Sequence, residues 1–153
     1  QVCNHGIAAG DDSIMLKYLL SKIGENYGYI IEWAAKPVKG DWNGSGCHVN
    51  FSTNQMRAEG GYTHILEAIK RLAEKHDEHI AVYGDDNSER LTGLHETSSM
   101  DTFSSGVANR GCSIRIPRST EAKNRGYFED RRPSSSADMY LVTEKIFRTS
   151  IGL

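Results

Sequence analysis

Cysteine is scarce in this 153-residue chain: Cys3, Cys47 and Cys112 are far apart, odd in number and form no CxxC pair. That spacing argues against a disulfide framework and a structural zinc site, and it suits a reducing compartment. No apolar run approaches the roughly 18 residues of a membrane-spanning helix. Gln1-Val2-Cys3-Asn4-His5 lacks the charged and apolar regions of a secretory signal. An excess of one charge is lacking too. Lys+Arg number 18 against 20 Asp+Glu, a formal charge of -2, which gives no general reason to expect nucleic acid or a membrane as partner. There is no internal repeat, no low-complexity tract, no Walker phosphate loop and no GxSxG nucleophile elbow. What is present is a chain 38% hydrophobic and 25% charged, long enough to bury one core, read as a globular cytoplasmic domain.

Periodicity predicts the elements. Asp11 to Tyr27 reads as a helix, opened by Asp11 and Asp12, with Ile14, Leu16, Leu19, Leu20 and Ile23 at roughly helical spacing and Gly28 as its stop. Tyr29 to Trp33 reads as a short strand, followed by a loop from Lys36-Pro37 to Gly46. From Cys47 to Thr53 the pattern alternates: Cys47, Val49 and Phe51 point one way, His48, Asn50 and Ser52 the other. A second amphipathic helix is predicted from about Gly60 to Asp77, with Ile65, Leu66, Ile69, Leu72 and Ala73 on its apolar face. His79 to Tyr83 reads as a strand. Leu91 to Arg110 is polar and aperiodic, the mark of a lid or binding loop. Cys112 to Ile116 and Tyr127 to Arg131 read as strands joined by a polar turn, and Asp138 as the cap of a last helix reaching about Thr149. The expected fold is α+β: an antiparallel sheet, polar on one face, with flanking helices.

Three features bear on chemistry. Along Tyr127–Arg131, period two puts Tyr127, Glu129 and Arg131 on one face and Phe128 with Asp130 on the other. A carboxylate between a phenol and a guanidinium makes a poor core and a good floor for a metal-bound anion, although an exposed Glu–Arg pair would look the same. His48 lies on the polar face of its own strand just after a glycine-rich loop, and glycines let a backbone approach a ligand closely. A histidine with a glutamate and no cysteine suits Mg²⁺ or Mn²⁺. Finally, Arg110, Arg115, Arg118, Lys123, Arg125, Arg131 and Arg132 face only Glu121, Glu129 and Asp130 in that stretch. Such a cluster suits a phosphoryl-transfer site, a nucleic-acid patch or a solvated charged face; the patch lacks interleaved aromatics. Cys47 and Cys112 fall on apolar faces, as packing residues do.

Four blocks then carry a family resemblance. They are Lys36-Pro37 through Gly40-Asp41-Trp42-Asn43-Gly44-Ser45-Gly46-Cys47-His48 to Asn50-Phe51-Ser52-Thr53; Arg90-Leu91-Thr92-Gly93 with His95-Glu96-Thr97; Gly106-Val107-Ala108-Asn109-Arg110 with Ser113-Ile114-Arg115-Ile116-Pro117-Arg118; and Gly126-Tyr127-Phe128-Glu129-Asp130-Arg131-Arg132-Pro133. In that order and spacing, the chain from about Gly6 to Ile146 resembles the catalytic domain of eukaryotic-type glutamine synthetases. It departs from them at Val2-Cys3-Asn4-His5-Gly6, where the family has Gly-Pro, and at Ala34-Ala35, where it has Asp-Pro.

The resemblance implies part of a barrel-like catalytic domain and a ligase that uses ATP to join ammonia to glutamate through γ-glutamyl phosphate. It implies His48 and Glu129 as ligands of Mg²⁺ or Mn²⁺, and Asn50, Ser52 and Tyr127 as nucleotide contacts. Asp41, Trp42, Gly44, Gly46, Arg90, Arg110 and Arg131 fall where the family holds glutamate. Arg110 and Arg115 fall where it contacts phosphate and ATP, and Glu96 where a lid glutamate closes over the intermediate and takes a proton from ammonium. It further implies a homo-oligomer of stacked rings and a cytoplasmic or organellar location. In the family, other metal carboxylates and a small β-grasp domain lie upstream of the part matching residues 1–153, so these residues alone are expected to make no glutamine. A truncated, inactive relative kept for binding or structure is the alternative.

Overall fold

The computed structural model describes residues 1–153. Helix α1 (Ala8–Asn26) and a long loop lead to β1 (Val49–Phe51), the short α2 (Asn54–Arg57), α3 (Tyr62–Glu74) and α4 (His76–Ile80). A 3₁₀ turn at Asn87–Glu89 precedes β2 (Ser105–Val107), β3 (Ile114–Ile116), α5 (Arg118–Lys123), β4 (Phe128–Asp130) and α6 (Met139–Ile151). The fold is α+β, as the patterns predict.

The strands form one sheet in the order β1-β4-β3-β2. β4 lies antiparallel between β1 and β3, whereas β2 runs parallel to β3, so the sheet is mixed rather than antiparallel throughout. β2 arises inside the stretch expected to be irregular, because Ser105-Gly106-Val107 carries no alternation to announce it. The register sets Asn50, Glu129, Arg115 and Gly106 in one row across the four strands. The flanking residues Val49, Phe51, Phe128, Ile114 and Ile116 turn to the other face, where they pack with Ile65, Leu72, Met139, Val142 and Ile146. One sheet face is thus core and the other is free for chemistry.

α3 buries Ile65, Ala68, Ile69 and Leu72. Leu66 and Ala73, expected on that stripe, face outward because the 3.6-residue period runs through Ala68 instead. α6 begins as predicted: the Asp138 carboxylate accepts the Tyr140 amide at 2.8 Å, and Gly152 ends the helix in a left-handed conformation.

Other expectations are corrected. The stretch His79–Tyr83 is not a strand. His76–Ile80 is helical, and the next turns continue to Tyr83, whose hydroxyl meets His79 Nδ1 at 2.6 Å, the reach of a helical i,i+4 pair. Burial of both rings overrides the strand preference of Ile, Val and Tyr. Tyr29–Trp33 forms no ladder, because no neighbouring strand takes its backbone hydrogen bonds. α1 starts at Ala8, before Asp11 and Asp12, with no side-chain cap. Its residues Ile14, Leu16, Leu19, Leu20 and Ile23 are 38–52% exposed. The helix docks instead through Gly10, where any Cβ would lie 2.6 Å from the Tyr140 ring, and through Lys17, whose ammonium donates to the Ser135 carbonyl. The polar turn expected before β4 contains α5.

Candidate active site

The polar face of the sheet is built by alternation on β1 and β4. Asn50 lies outward on β1 opposite Glu129 on β4, and Arg115 flanks Glu129 from β3. His48, just before β1, donates from Nδ1 to Glu129 Oε1 at 3.1 Å, which leaves Nε2 as its lone-pair nitrogen. Arg115 Nε pairs with Glu129 Oε2 at 2.5 Å, and Arg131 Nη1 lies 3.4 Å from both carboxylate oxygens. Burial alone would raise the Glu129 pKa. The His48 hydrogen bond, with the charges of Arg131 and Arg115, outweighs it, so the carboxyl lies below its ordinary value and is ionised at neutral pH.

The predicted lid meets this face at Glu96. Arg131 Nη2 donates to the Glu96 carbonyl at 3.1 Å, and Arg110 Nη1 to its carboxylate at 3.1 Å. Both partners of the Arg110–Glu96 pair are more than half exposed, so the pair is weak and exchangeable. His95 and Glu96 both have positive φ, 51° and 61°, a conformation that non-glycine residues hold only under constraint. The constraint is visible: His95 Nε2 lies 2.9 Å from Asp41 Oδ1. Asp41 thereby joins the 40–46 loop to the lid, beside a cleft of about 320 Å³ that Lys36, Lys39, Thr92 and Glu89 also line. His95 was not singled out by the sequence, and no local pattern connects it to a residue more than fifty positions away.

Arg90 is placed differently from the rest. It is 5% exposed. Its Nε donates to Asn87 Oδ1, and its Nη2 to the carbonyls of Arg131, Arg132 and Pro133. Burial, then the nearby Arg131, pulls its pKa down to about 10, and it stays charged at neutral pH. The loop glycines serve this side chain: a Cβ on Gly44 would lie 2.3 Å from Arg90 Cγ, and one on Gly46 would lie 2.8 Å from its Nη1. Trp42 is exposed, and its carbonyl takes the Lys36 ammonium. Ser52 accepts from Arg57 Nε at 2.7 Å, and Tyr127, half-buried, precedes Glu129 on the same face with its backbone held by Thr120.

Not every basic residue of the 110–132 stretch contributes. Arg118, Lys123 and Arg125 are exposed on α5 and the turn after it. Arg132 is fully buried on the opposite side of the sheet, paired with the equally buried Asp130 at 2.7 Å. Tyr83 donates its hydroxyl to Asp130 at 2.5 Å and accepts from His79 Nδ1, whose Nε2 accepts from Thr149. The sequence set Asp130 beside Phe128 and placed Arg132 in the basic cluster, but no local pattern joins them to Tyr83, His79 and Thr149.

His48 and Glu129 together offer a nitrogen and a carboxylate, a donor set suited to Mg²⁺ or Mn²⁺. No group of three or more His, Cys, Asp or Glu side chains gathers in the chain. These two residues would fit as two ligands of a divalent site and would not by themselves complete one.

Fold and face define the class: a small α+β domain whose mixed sheet presents a face of paired charges, Glu129 with His48, Arg115 and Arg131, under a loop. The family described as "Glutamine synthetase, catalytic domain" matches residues 2–150, and the chain belongs to that family. It is 57% identical over 147 residues to the glutamine synthetase of Yarrowia lipolytica, covering 96% of this chain and 40% of that protein. To the cytosolic glutamine synthetase isozyme of Medicago sativa it is 55% identical over 146 residues, covering 95% and 41%. To the chloroplastic glutamine synthetase of Oryza sativa subsp. japonica it is 54% identical over 146 residues, covering 95% and 34%. The chain thus spans roughly two-fifths of the curated relatives it matches. No helix is long and apolar enough to cross a membrane.

Proposed function

We propose that these residues form part of an enzyme that makes glutamine from glutamate, ammonium and ATP. The observation that carries this reading is the convergence of His48, Glu129, Arg115 and Arg131 on one sheet face, with Glu96 held over it. A glutamate side-chain oxygen attacks the γ-phosphorus of ATP, and ADP leaves. Ammonia then attacks the acyl carbon of γ-glutamyl phosphate, and phosphate leaves with the bonding electron pair. Arg110 and Arg115 neutralise charge on the transferred phosphoryl group. Arg131, Asp41 and Trp42 with the Gly44 loop orient glutamate, and Arg90, bound to the 131–133 backbone, sets the floor of that subsite. Asn50, Ser52 and Tyr127 take the nucleotide. Glu96 accepts the proton from ammonium, and its loop excludes the water that would hydrolyse the acyl phosphate. His48 and Glu129 would hold Mg²⁺ or Mn²⁺, which when bound would supply Lewis-acid neutralisation of phosphate charge. Residues 1–153 are part of a larger catalytic domain in a cytoplasmic homo-oligomer with active sites shared between subunits.

A second reading, a truncated relative with a binding role, is favoured by one observation: only two metal-type ligands come together in this chain. Assaying glutamine formation with Mg²⁺, ATP, glutamate and ammonium separates the two. The protein in its native length is expected to be active and the 153 residues alone inactive. Inactivity of the native-length protein would overturn the first reading.

A further inference from the structure

Arg132 and His76 are buried, charged or polar, and unused by the chemistry above, yet both touch the distal half of the lid loop. The Arg132 guanidinium is gripped by Asp130, with Nε 3.0 Å from Oδ1 and Nη2 2.7 Å from Oδ2. Its remaining nitrogen, Nη1, donates to His76 Nδ1 at 3.0 Å. Because an arginine only donates, His76 Nδ1 accepts, and the ring's proton sits on Nε2. That proton is given to the Met100 carbonyl at 2.8 Å. The same two groups hold Phe103: its ring stands edge-on to His76 at 5.8 Å between centroids, and the Arg132 guanidinium lies 5.3 Å from its centroid. Meanwhile Arg131, the preceding residue, holds the Glu96 carbonyl from the other face of the sheet.

We infer that Arg132, through His76, is a positioning device for the lid: it clamps Met100 and Phe103 and so fixes the base from which the His95–Glu96 tip is presented to the Arg131 side of the sheet. The loop between the two clamps closes on itself through the Thr92–Ser99 bridge and through Met100 N, which donates to the Leu91 carbonyl. A displacement at Met100 is therefore passed to the Glu96 tip through the three intervening residues, Thr97 to Ser99. His76 is a positioning residue, since it touches neither substrate nor the reacting atoms. The inference rests on the reading of Glu96 as the lid base, and its test separates the two.

The test compares His76→Asn with His76→Gln in the native-length protein, and adds Phe103→Leu, which keeps an apolar side chain. The Asn variant keeps an acceptor near Arg132 and loses the reach to Met100; the Gln variant keeps a donor near the Nε2 position. Hydrogen exchange is followed at the amides of residues 91–104 and, as a control, of α3. His76→Asn and Phe103→Leu are expected to speed lid exchange about fivefold or more while α3 stays unchanged, with His76→Gln closer to the parent. Lid exchange within about twofold of the parent in both loosening variants would overturn the clamp. In the glutamine assay the loosened variants should lose kcat with KM for ATP unchanged, and His76→Gln should restore most of it. A loosened lid with full kcat would overturn the positioning role. A parent protein that makes no glutamine would overturn the enzymatic reading alone, and the exchange result would still decide the clamp.

Discussion

Arg131 and Arg132 are neighbours in the chain, yet their guanidinium groups lie on opposite faces of the sheet: Arg131 beside Glu129 and the Glu96 carbonyl, Arg132 buried against Asp130. The two-residue period of an extended backbone forces this division. It makes the end of β4 both the floor of the polar site and a structural bolt in the core, so substitutions one residue apart should have effects of different kinds.

At position 132 the effect is on stability. Burial disfavours the Asp130 charge, but the Arg132 charge and hydrogen bonds, with that of Tyr83, hold its pKa below the ordinary value. Arg132→Met would leave a fully buried carboxylate without its partner, and we expect a loss of about 3–5 kcal/mol in urea denaturation. A loss below about 1 kcal/mol would contradict the bolt.

Acid stability should report on His79. Burial, then the positive charge of Arg132, lowers its folded-state pKa from 6.5 to about 4. The unfolded chain takes up this proton first, so folding stability falls as pH drops from about 6.5 to about 4 and levels off for this group below that. The full effect is about 3 kcal/mol. Asp130, with its depressed pKa, contributes stability that is present above its unfolded pKa and lost as pH falls through its still lower folded value. His79→Gln should flatten the curve in the upper window only, as followed by denaturation at stepped pH.

The 40–46 loop offers a test of packing. A methyl at position 44 meets Arg90 Cγ at 2.3 Å and the Ala35 carbonyl at 2.8 Å. Gly44→Ala should cost about 1–3 kcal/mol and disturb the residues that Arg90 anchors, visible as exchange broadening of the amides around Pro133. An unchanged midpoint of unfolding would show that Arg90 can move aside.

Metal binding should depend on both sides of the β1–β4 pair. His48→Ala and Glu129→Gln are each expected to weaken Mn²⁺ binding by at least about tenfold in the native-length protein, measured by electron paramagnetic resonance of the free ion. Equal affinity in either variant would remove that residue from the ligand set.

Glu96→Ala should reduce turnover by about 10²-fold or more while leaving ATP affinity nearly intact, because the one pair its carboxylate makes, with Arg110, is exposed and weak and leaves that arginine free to meet phosphate. A large loss of ATP affinity, read by equilibrium dialysis, would contradict the lid role.

Much of the site was legible in the residues themselves. The alternation through Cys47–Thr53 and Tyr127–Arg131 put His48, Asn50, Glu129 and Arg131 on polar faces, and Asp138 announced α6 by its cap. These are local signals, set by the geometry of one strand or one helix end, and they survive without knowledge of any partner. Arg90 and Arg132 were not legible in this way, since a guanidinium is buried only where distant carbonyls or a carboxylate close around it.

What the sequence alone determined is therefore the family, the polar strand faces and the helix starts and stops that follow short-range periodicity. The tertiary structure decided the rest: the helical state of His76–Ile80, the parallel pairing of β2, the exposure of the α1 stripe and the burial of Arg132 between Asp130 and His76. Each depends on which residues from far along the chain arrive beside it. Burial and hydrogen-bond satisfaction are properties of those assembled neighbours, not of the local segment.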